Sequence, residues 1–472
     1  MVECTTVGQC GLDYPAHSSE PGTRSAPIQL IFALMVLPRP MRIYLDSIGC
    51  RLNQSEMESL ARQLAGRGHT LASSPAKADR CILNTCSVTQ EAERKSRQAA
   101  RRIRRANPDT QLLITGCYAT LCPDQAAAVE GVTQVVANPQ KQSILAILDP
   151  DQQSTERGAC WRLPGGRTRA FVKVQDGCDN RCSYCITTIA RGEGRTRPLP
   201  DVVGEIQALE SAGYQEVVLT GVHVGSYGRD RASRDESGQS RAPDLHHLIQ
   251  TILSETGIPR LRLSSLEPWN LDSDLLDLWQ NPRLCRQLHL PLQSGSASVL
   301  RRMGRQTTPE AYLCLAKAAL DTIPDLALTT DIIVGFPGES DSEFEASLEF
   351  VRQLDFARLH VFGYSRRPGT RAAQMEGQLP PARVRERSRL MRALGRQKQE
   401  AFLRRFLGRT MEVLWESTVS DNGSRGLWRG HTGNYIQVTA DAEGERLWNS
   451  ITPTLLTGLR PGGAWGILKR EP

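Results

Sequence analysis

Three cysteines, Cys178, Cys182 and Cys185, fall inside the short stretch "CDNRCSYC". Thiolates packed that closely are soft metal ligands, so the chemistries on offer are zinc binding, an iron–sulfur cluster or a disulfide framework. A structural zinc site takes four N or S ligands, typically as two close pairs separated by a longer loop. No fourth ligand stands nearby here: His223 belongs to a later strand, and Cys160 precedes a stretch rich in Arg and Gly. Three thiolates suit a cubane iron–sulfur cluster whose remaining iron is open to a small molecule. Bending a loop round three corners of a cube favours Gly177 and Asn180, residues that tolerate unusual backbone angles.

A second set of cysteines sits earlier in the chain. From Met41, short apolar runs alternate with helical patterns: "RIYLDSIG", then 55–66, "CILNTC", then 91–105, then "QLLITGC". That alternation predicts a βαβαβ unit. Cys50, Cys86 and Cys117 each follow one of its strands, and ligands bind at the carboxyl edge of such sheets. The plain alternative is that cysteine is simply a good buried residue, as Cys81 and Cys122 are read to be.

The elements that must hold these residues continue past an Arg/Gly-rich connection over 152–169. Six strands follow in rhythm: "AFVKVQDGC", "EVVLTGV", "RLRLSSLEP", "LHLPLQS", "LALTTDIIVGFPGE" and "ARLHVFGYS". They predict a parallel (β/α) barrel, incomplete because eight units are not visible. A long charged helix over 381–405 closes it. After Gly408 the short strands "MEVLWES", "LWRGHT", "NYIQVTA" and "AWGILKR" predict a small antiparallel barrel of about 60 residues. The expected fold class is therefore α/β: an N-terminal βαβ open sheet over 41–150, a partial parallel barrel over 165–400 and an antiparallel β-barrel over 408–470.

Of the 472 residues, 39% are hydrophobic and 23% charged, which fits a globular chain and excludes a disordered one. Thirteen cysteines, an odd number, without a convincing secretory signal argue against a disulfide scaffold and for a reducing cytoplasm. The run "IQLIFALMVL" falls well short of the roughly 20 apolar residues that cross a bilayer, so no membrane partner is expected. Residues 1–40 read as an extension that is either not translated, with Met41 the start, or disordered. Seven Lys/Arg lie between Arg94 and Arg105, and another basic set runs from Arg383 to Arg409. Such runs are commonly solvated helix faces. With Trp428, His431 and Tyr435 in the terminal barrel they also suit phosphate grip and base stacking, although Trp428 and Tyr435 read equally well as core residues.

The motifs "GCRLNQSE", "NTCSVTQEAERKSR", "TGCYA", "QDGCDNRCSYC", "ARGEGRTRP", "LTGVHVGSYG", "LSSLEP", "LPLQSGS", "TDIIVGFPGE" and "FGYSRRPGT" resemble the radical S-adenosylmethionine (SAM) methylthiotransferases in order and spacing. The resemblance runs from about Met41 to the C-terminus. It implies two 4Fe-4S clusters: one on Cys178, Cys182 and Cys185 that reduces SAM, and an auxiliary one on Cys50, Cys86 and Cys117. Gly221, Gln293 and Asp331, at strand carboxyl ends of the barrel, are expected to bind SAM. The terminal barrel resembles the TRAM domain, which grips RNA. The implied reaction inserts a methylthio group into an unactivated C–H bond, with a second SAM as methyl donor. Among the family's branches, "GCRLNQSE", "NTCSVT" and "RKSRQ" look most like the one acting at C2 of N6-threonylcarbamoyladenosine in the tRNA anticodon stem-loop. Isopentenyladenosine and a ribosomal-protein aspartate are the alternative substrates. An electron donor and a sulfur source are implied partners. The chain departs from the family at Thr188, where a proline often follows the last cluster cysteine.

Overall fold

Apolar strands alternating with amphipathic helices build the first layer: β1 (Arg42–Ser47), α1 (Arg51–Gly66), β2 (Thr70–Leu71), β3 (Arg80–Thr85), α2 (Gln90–Ala106), β4 (Gln111–Gly116), α3 (Cys117–Leu121), α4 (Pro123–Ala127), β5 (Val132–Val136) and α5 (Ile144–Leu148). The computed structural model describes residues 40–149, 167–231, 243–421, 424–442 and 445–469. Of the expected extension only Pro40 is among them, and most of the 152–169 connection lies outside them. The strands form one parallel sheet in the order β2-β1-β3-β4-β5, so the expected βαβαβ unit is present and widened by β2 and β5. β3 is buried from Cys81 to Thr85, as a central strand covered on both faces must be. Cys81 packs in the core behind it. α2 starts where the Thr89 hydroxyl accepts from the Ala92 N–H at 3.1 Å, with Glu91 and Glu93 in its first turn and Arg104 and Arg105 in its last.

The second layer comprises β6 (Arg169–Lys173), β7 (Gln175–Asp176), α6 (Thr187–Arg191), β8 (Arg195–Thr196), α7 (Leu199–Ser211), β9 (Glu216–Thr220), α8 (Leu245–Glu255), β10 (Arg260–Leu263), α9 (Ser273–Asp277), β11 (Gln287–His289), α10 (Ala297–Met303), α11 (Pro309–Thr322), β12 (Ala327–Val334), α12 (Asp341–Gln353), β13 (Arg358–Gly363) and α13 (Pro381–Arg404). All six expected strands are there. They form two parallel triplets, β10-β9-β6 and β11-β12-β13, joined by parallel bridges Leu261–Leu284 and Ser265–His289. Together they make the expected partial barrel, around one large apolar core.

α1 lies against β6: the Phe171 N–H donates to Glu58 Oε2 at 3.3 Å. Burial pushes the Glu58 carboxyl up to about 7, against the pull of that hydrogen bond and of Arg167 and Arg62. A raised folded-state pKa means that this carboxyl favours folding below about 4.5 and loses that contribution as pH rises through about 7. Glu58→Gln is therefore expected to raise stability by about 1–2 kcal/mol at pH 8 and to change little at pH 5, read by denaturant unfolding at both values.

The last layer is a closed barrel of β14 (Thr410–Asp421), β15 (Ser424–Thr432), β16 (Gln437–Asp441), β17 (Ile451–Arg460) and β18 (Gly463–Leu468), ordered β14-β15-β16-β18-β17. The expected antiparallel barrel needs correcting here, because β16 and β18 pair in parallel. Five strands cannot alternate direction round a closed ring, so one parallel pair is unavoidable.

Arginines dock this barrel onto the partial one. Arg260 donates to the Glu412 carbonyl at 2.9 Å and Arg262 to the Gly433 carbonyl at 3.1 Å. Arg262 is itself paired with Glu216 at 2.7 Å, both fully buried. Among the described residues no helix is long and apolar enough to cross a membrane.

Candidate active site

The loop after β7 carries the first thiol trio. Gln175 Nε2 donates to the carbonyls of Asp176 and Gly177 at 2.9 and 2.8 Å. Gly177 has φ +72°, and a Cβ there would lie 1.8 Å from the Glu193 carbonyl oxygen, so only glycine fits. Asn180, in contrast, is not left-handed. Its side chain instead reaches His223 Nδ1 at 3.5 Å and accepts from Gln306 at 3.3 Å. The loop is closed by Cys178 N–H to the Gly192 carbonyl at 3.0 Å and by Cys185 N–H to the Cys182 carbonyl at 3.2 Å. Thr188, in place of the family's proline, donates its hydroxyl to the Asn180 carbonyl at 3.4 Å.

A buried cation stands beside Cys182. Arg305 lies 4.0 Å from Cys182 Sγ, held by Glu267 at 2.6 Å, by the Pro291 carbonyl at 2.7 Å and by the Trp269 ring at 4.6 Å. Burial pushes the Cys178 thiol up to about 11, and that of Cys182 upward too, with Arg305 opposing.

The second trio gathers at the carboxyl edge of the first sheet. Gly49 has φ +108°, and a Cβ there would lie 2.8 Å from Cys86 Sγ, so the loop bearing Cys50 is pressed onto Cys86. Cys50 Sγ is 3.8 Å from Asn53 Oδ1, and Cys117 Sγ is 3.8 Å from Asn138 Nδ2. Burial pushes the Cys86 thiol up to about 12, the fields of Cys117 and Cys50 add to it, and Arg191 opposes.

Each trio offers thiols, the donor type that a cubane takes, each thiolate on a different iron. Each trio also has a buried arginine in its field, Arg305 or Arg191, to offset the negative charge that thiolate ligation develops.

Gln293 and Asp331 are neighbours: the Gln293 N–H donates to the Asp331 carbonyl at 2.8 Å. Gln293 adopts φ +77°, rare for a residue with a side chain and characteristic of functional sites. Its carboxylate neighbour Asp331 lies 3.3 Å from His289. Gly221 sits in the other half-barrel, where a Cβ would lie 2.9 Å from the Gln175 carbonyl oxygen. Sequence reasoning missed Arg305, Glu267, Trp269, Asn53 and Asn138. Arg191 and Asn53 stood inside quoted motifs, "ARGEGRTRP" and "GCRLNQSE", but nothing in those strings marks them as partners.

The aromatic residues expected to stack on bases are engaged internally. Trp428 donates to the Glu445 carbonyl at 3.1 Å within the barrel core. Tyr435 accepts from Arg169 at 2.9 Å and Arg51 at 3.3 Å, with His431 stacked on it and bonded to Glu416. Trp465 is exposed, with the Arg460 guanidinium over its ring at 4.8 Å. The basic run of α2 is narrower than its sequence: Arg94 and Lys95 pair with Glu91, Arg102 pairs with Asp46, and Arg97 lies over Tyr118. Arg101, Arg104 and Arg105 border a shallow surface cleft.

Residues 172–351 match the family model of the Radical SAM superfamily, and residues 42–138 that of Uncharacterized protein family UPF0004. The threonylcarbamoyladenosine tRNA methylthiotransferase MtaB of Thermotoga maritima is 34% identical over 407 residues, covering 84% of this chain and 90% of that protein. The protein of the same name from Bacillus subtilis is 33% identical, covering 83% and 88%. The tRNA-2-methylthio-N(6)-dimethylallyladenosine synthase of Chloroflexus aurantiacus is 32% identical over 456 residues, covering 91% and 92%. Among solved structures, the radical SAM methyltransferase TsrM of Kitasatospora setae superposes with a TM-score of 0.50 at 16% identity over 70% of this chain and 77% of that one, a likeness of fold.

Proposed function

The chain belongs to the radical SAM methylthiotransferases, and from that premise we propose that it inserts a methylthio group at C2 of N6-threonylcarbamoyladenosine, next to the tRNA anticodon. The choice of nucleoside is supported by the MtaB relatives, and the methylthiotransferase chemistry by the pair of thiol trios at the two ends of α6. One trio serves SAM and the other serves sulfur. The enzyme uses SAM and an iron–sulfur cluster, and we extend this to two 4Fe-4S clusters, on Cys178, Cys182 and Cys185 and on Cys50, Cys86 and Cys117. Residues 41–150 carry the auxiliary cluster, 165–400 the radical SAM core and 408–470 a TRAM-like RNA-binding barrel. An electron donor and a sulfur source complete the cycle, in the cytoplasm.

Adenine C2–H is neither acidic nor electrophilic, so no acid–base residue can open it. When bound, SAM and the clusters supply the one-electron chemistry and the sulfur transfer that side chains lack. The chain's own residues bind and orient. Gln293 and Gly221, beyond the carboxyl ends of β11 and β9, are the residues offered to SAM together with Asp331, which lies within β12 and not at the expected strand end. Arg305 and Arg191 balance thiolate charge, and in the second trio Cys86 and Cys117 are buried while Cys50 is exposed to incoming substrate. Arg101, Arg104, Arg105 and Arg460 with Trp465 offer cations and a ring for RNA.

Mass spectrometry of tRNA nucleosides from a strain lacking this protein tests the substrate. The 2-methylthio form of threonylcarbamoyladenosine is expected to vanish while that of the isopentenyl nucleoside persists. The reverse pattern would assign the chain to the activity named for the Chloroflexus relative.

A further inference from the structure

We propose that α6 is a strut that sets the spacing between the two thiol trios, with Arg191 and Asn138 as its positioning residues. This rests on the two-cluster reading above and goes beyond it in naming what holds the two sites in register. α6 begins at one trio: the Thr187 N–H points at Cys185 Sγ at 3.4 Å. The helix is then clipped back onto the same loop, by Thr188 to the Asn180 carbonyl at 3.4 Å and by the Gly192 carbonyl accepting from Cys178 N–H at 3.0 Å. It cannot shift without moving the cysteine loop.

Its other end reaches the second trio twice. The Ala190 carbonyl accepts from Asn138 Nδ2 at 2.8 Å, and the same nitrogen lies 3.8 Å from Cys117 Sγ. Arg191 donates to Asn53 Oδ1 at 2.6 Å, the atom that lies 3.8 Å from Cys50 Sγ. Asn53 in turn donates to the Ile48 and Thr85 carbonyls at 2.8 and 3.0 Å, in the segments that lead to Cys50 and Cys86. The same guanidinium is locked by Glu56 at 3.0 Å and Asp176 at 2.9 Å, and Arg191 is only 3% exposed. Adhesive contacts between two layers could lie anywhere along their interface. These land on the partners of the thiols themselves.

Five helical residues span about 7–8 Å, so the strut is short. Shortness has a chemical use, because a carbon opened at one site must meet sulfur held at the other without diffusing.

The test uses full-length, anaerobically reconstituted protein: unsubstituted, Asn138→Ala, Arg191→Lys and Arg191→Met. Iron content, the spin–spin interaction between the two reduced clusters, and methylthiolated tRNA formed per 5′-deoxyadenosine released are measured together. Asn138→Ala is expected to keep its iron, to alter the spin–spin interaction and to lower the product ratio about tenfold to hundredfold; Arg191→Met lowers the ratio at least as far, and Arg191→Lys lies in between. An unchanged interaction and ratio in Asn138→Ala overturns the strut, even if Arg191→Met fails to fold. So does a fall in ratio that only tracks lost iron. Failure of the two-cluster reading shows separately, in the unsubstituted protein, as about four irons and no spin–spin interaction.

Discussion

Cys86→Ala is expected to cleave SAM at nearly the unsubstituted rate and to form no detectable methylthiolated tRNA. Cys86 is 5% exposed at the end of β3, and its backbone is held by Ser96 from both sides, each bond 3.1 Å. Those main-chain bonds survive the substitution, and the small void left by one sulfur costs about 1 kcal/mol, so the fold persists. What goes is one of three donors to the second trio. Losing a mere hydrogen-bond partner of a metal ligand costs roughly 10–100-fold, and losing the ligand itself costs more. The first trio lies in a separate loop with its own cation, so 5′-deoxyadenosine release should continue. Chromatography of deoxyadenosine and of digested tRNA from one reaction reads both. Loss of both activities in a folded variant would contradict the division of labour between the trios.

Glu216→Ala is expected to destabilise the fold by about 3–5 kcal/mol, measured by denaturant unfolding at pH 7. Burial pushes the Glu216 carboxyl up, but the Arg262 charge and its hydrogen bonds outweigh this and hold it at about 2. The substitution strands a fully buried guanidinium whose remaining partners, main-chain carbonyls of the terminal barrel and the Tyr435 ring, carry no full negative charge. A depressed carboxyl contributes stability that is complete above about 4.5 and is lost as pH falls toward about 2. The gap between the two proteins should therefore be full at pH 7 and close toward pH 2. Replacing both members, with Glu216→Leu and Arg262→Met together, is expected to recover most of the loss, because no unpaired charge remains. A single-variant effect below about 1 kcal/mol would show that the pair does not hold the barrels together.

The open sheet and all six strands of the partial barrel were legible because each is a local signal, and the spacing of the six cysteines stands out in the same way. Soft side chains at fixed spacing need no fold to be noticed, and short apolar runs such as residues 81–83 in β3 and 332–334 in β12 announce strands. What escaped was short, interrupted or non-local. β2 has two residues, and β5 reads "VTQVV" at the sheet edge with exposed middle positions. β17 is broken by Pro453 and by a register shift between Leu456 and Gly458, so its pattern does not alternate cleanly. The parallel closure of β16 on β18 belongs to ring geometry and leaves no mark in either strand. Arg191 was visible as a letter in a motif, yet Asn53 is 138 positions away, and only the fold could supply that bond. Tyr435 illustrates the opposite limit: an aromatic residue in a small barrel looks the same in sequence whether it faces a ligand or three arginines.

The most direct measurement is the metal content of the full chain after anaerobic reconstitution, with iron and sulfide assayed and the clusters typed by Mössbauer spectroscopy. Two cubanes correspond to about eight irons and about eight sulfides per chain, falling to about four in a triple alanine variant of Cys50, Cys86 and Cys117. A chain that takes up only about four irons before any substitution, or that binds zinc in either trio, contradicts the two-site enzyme described above.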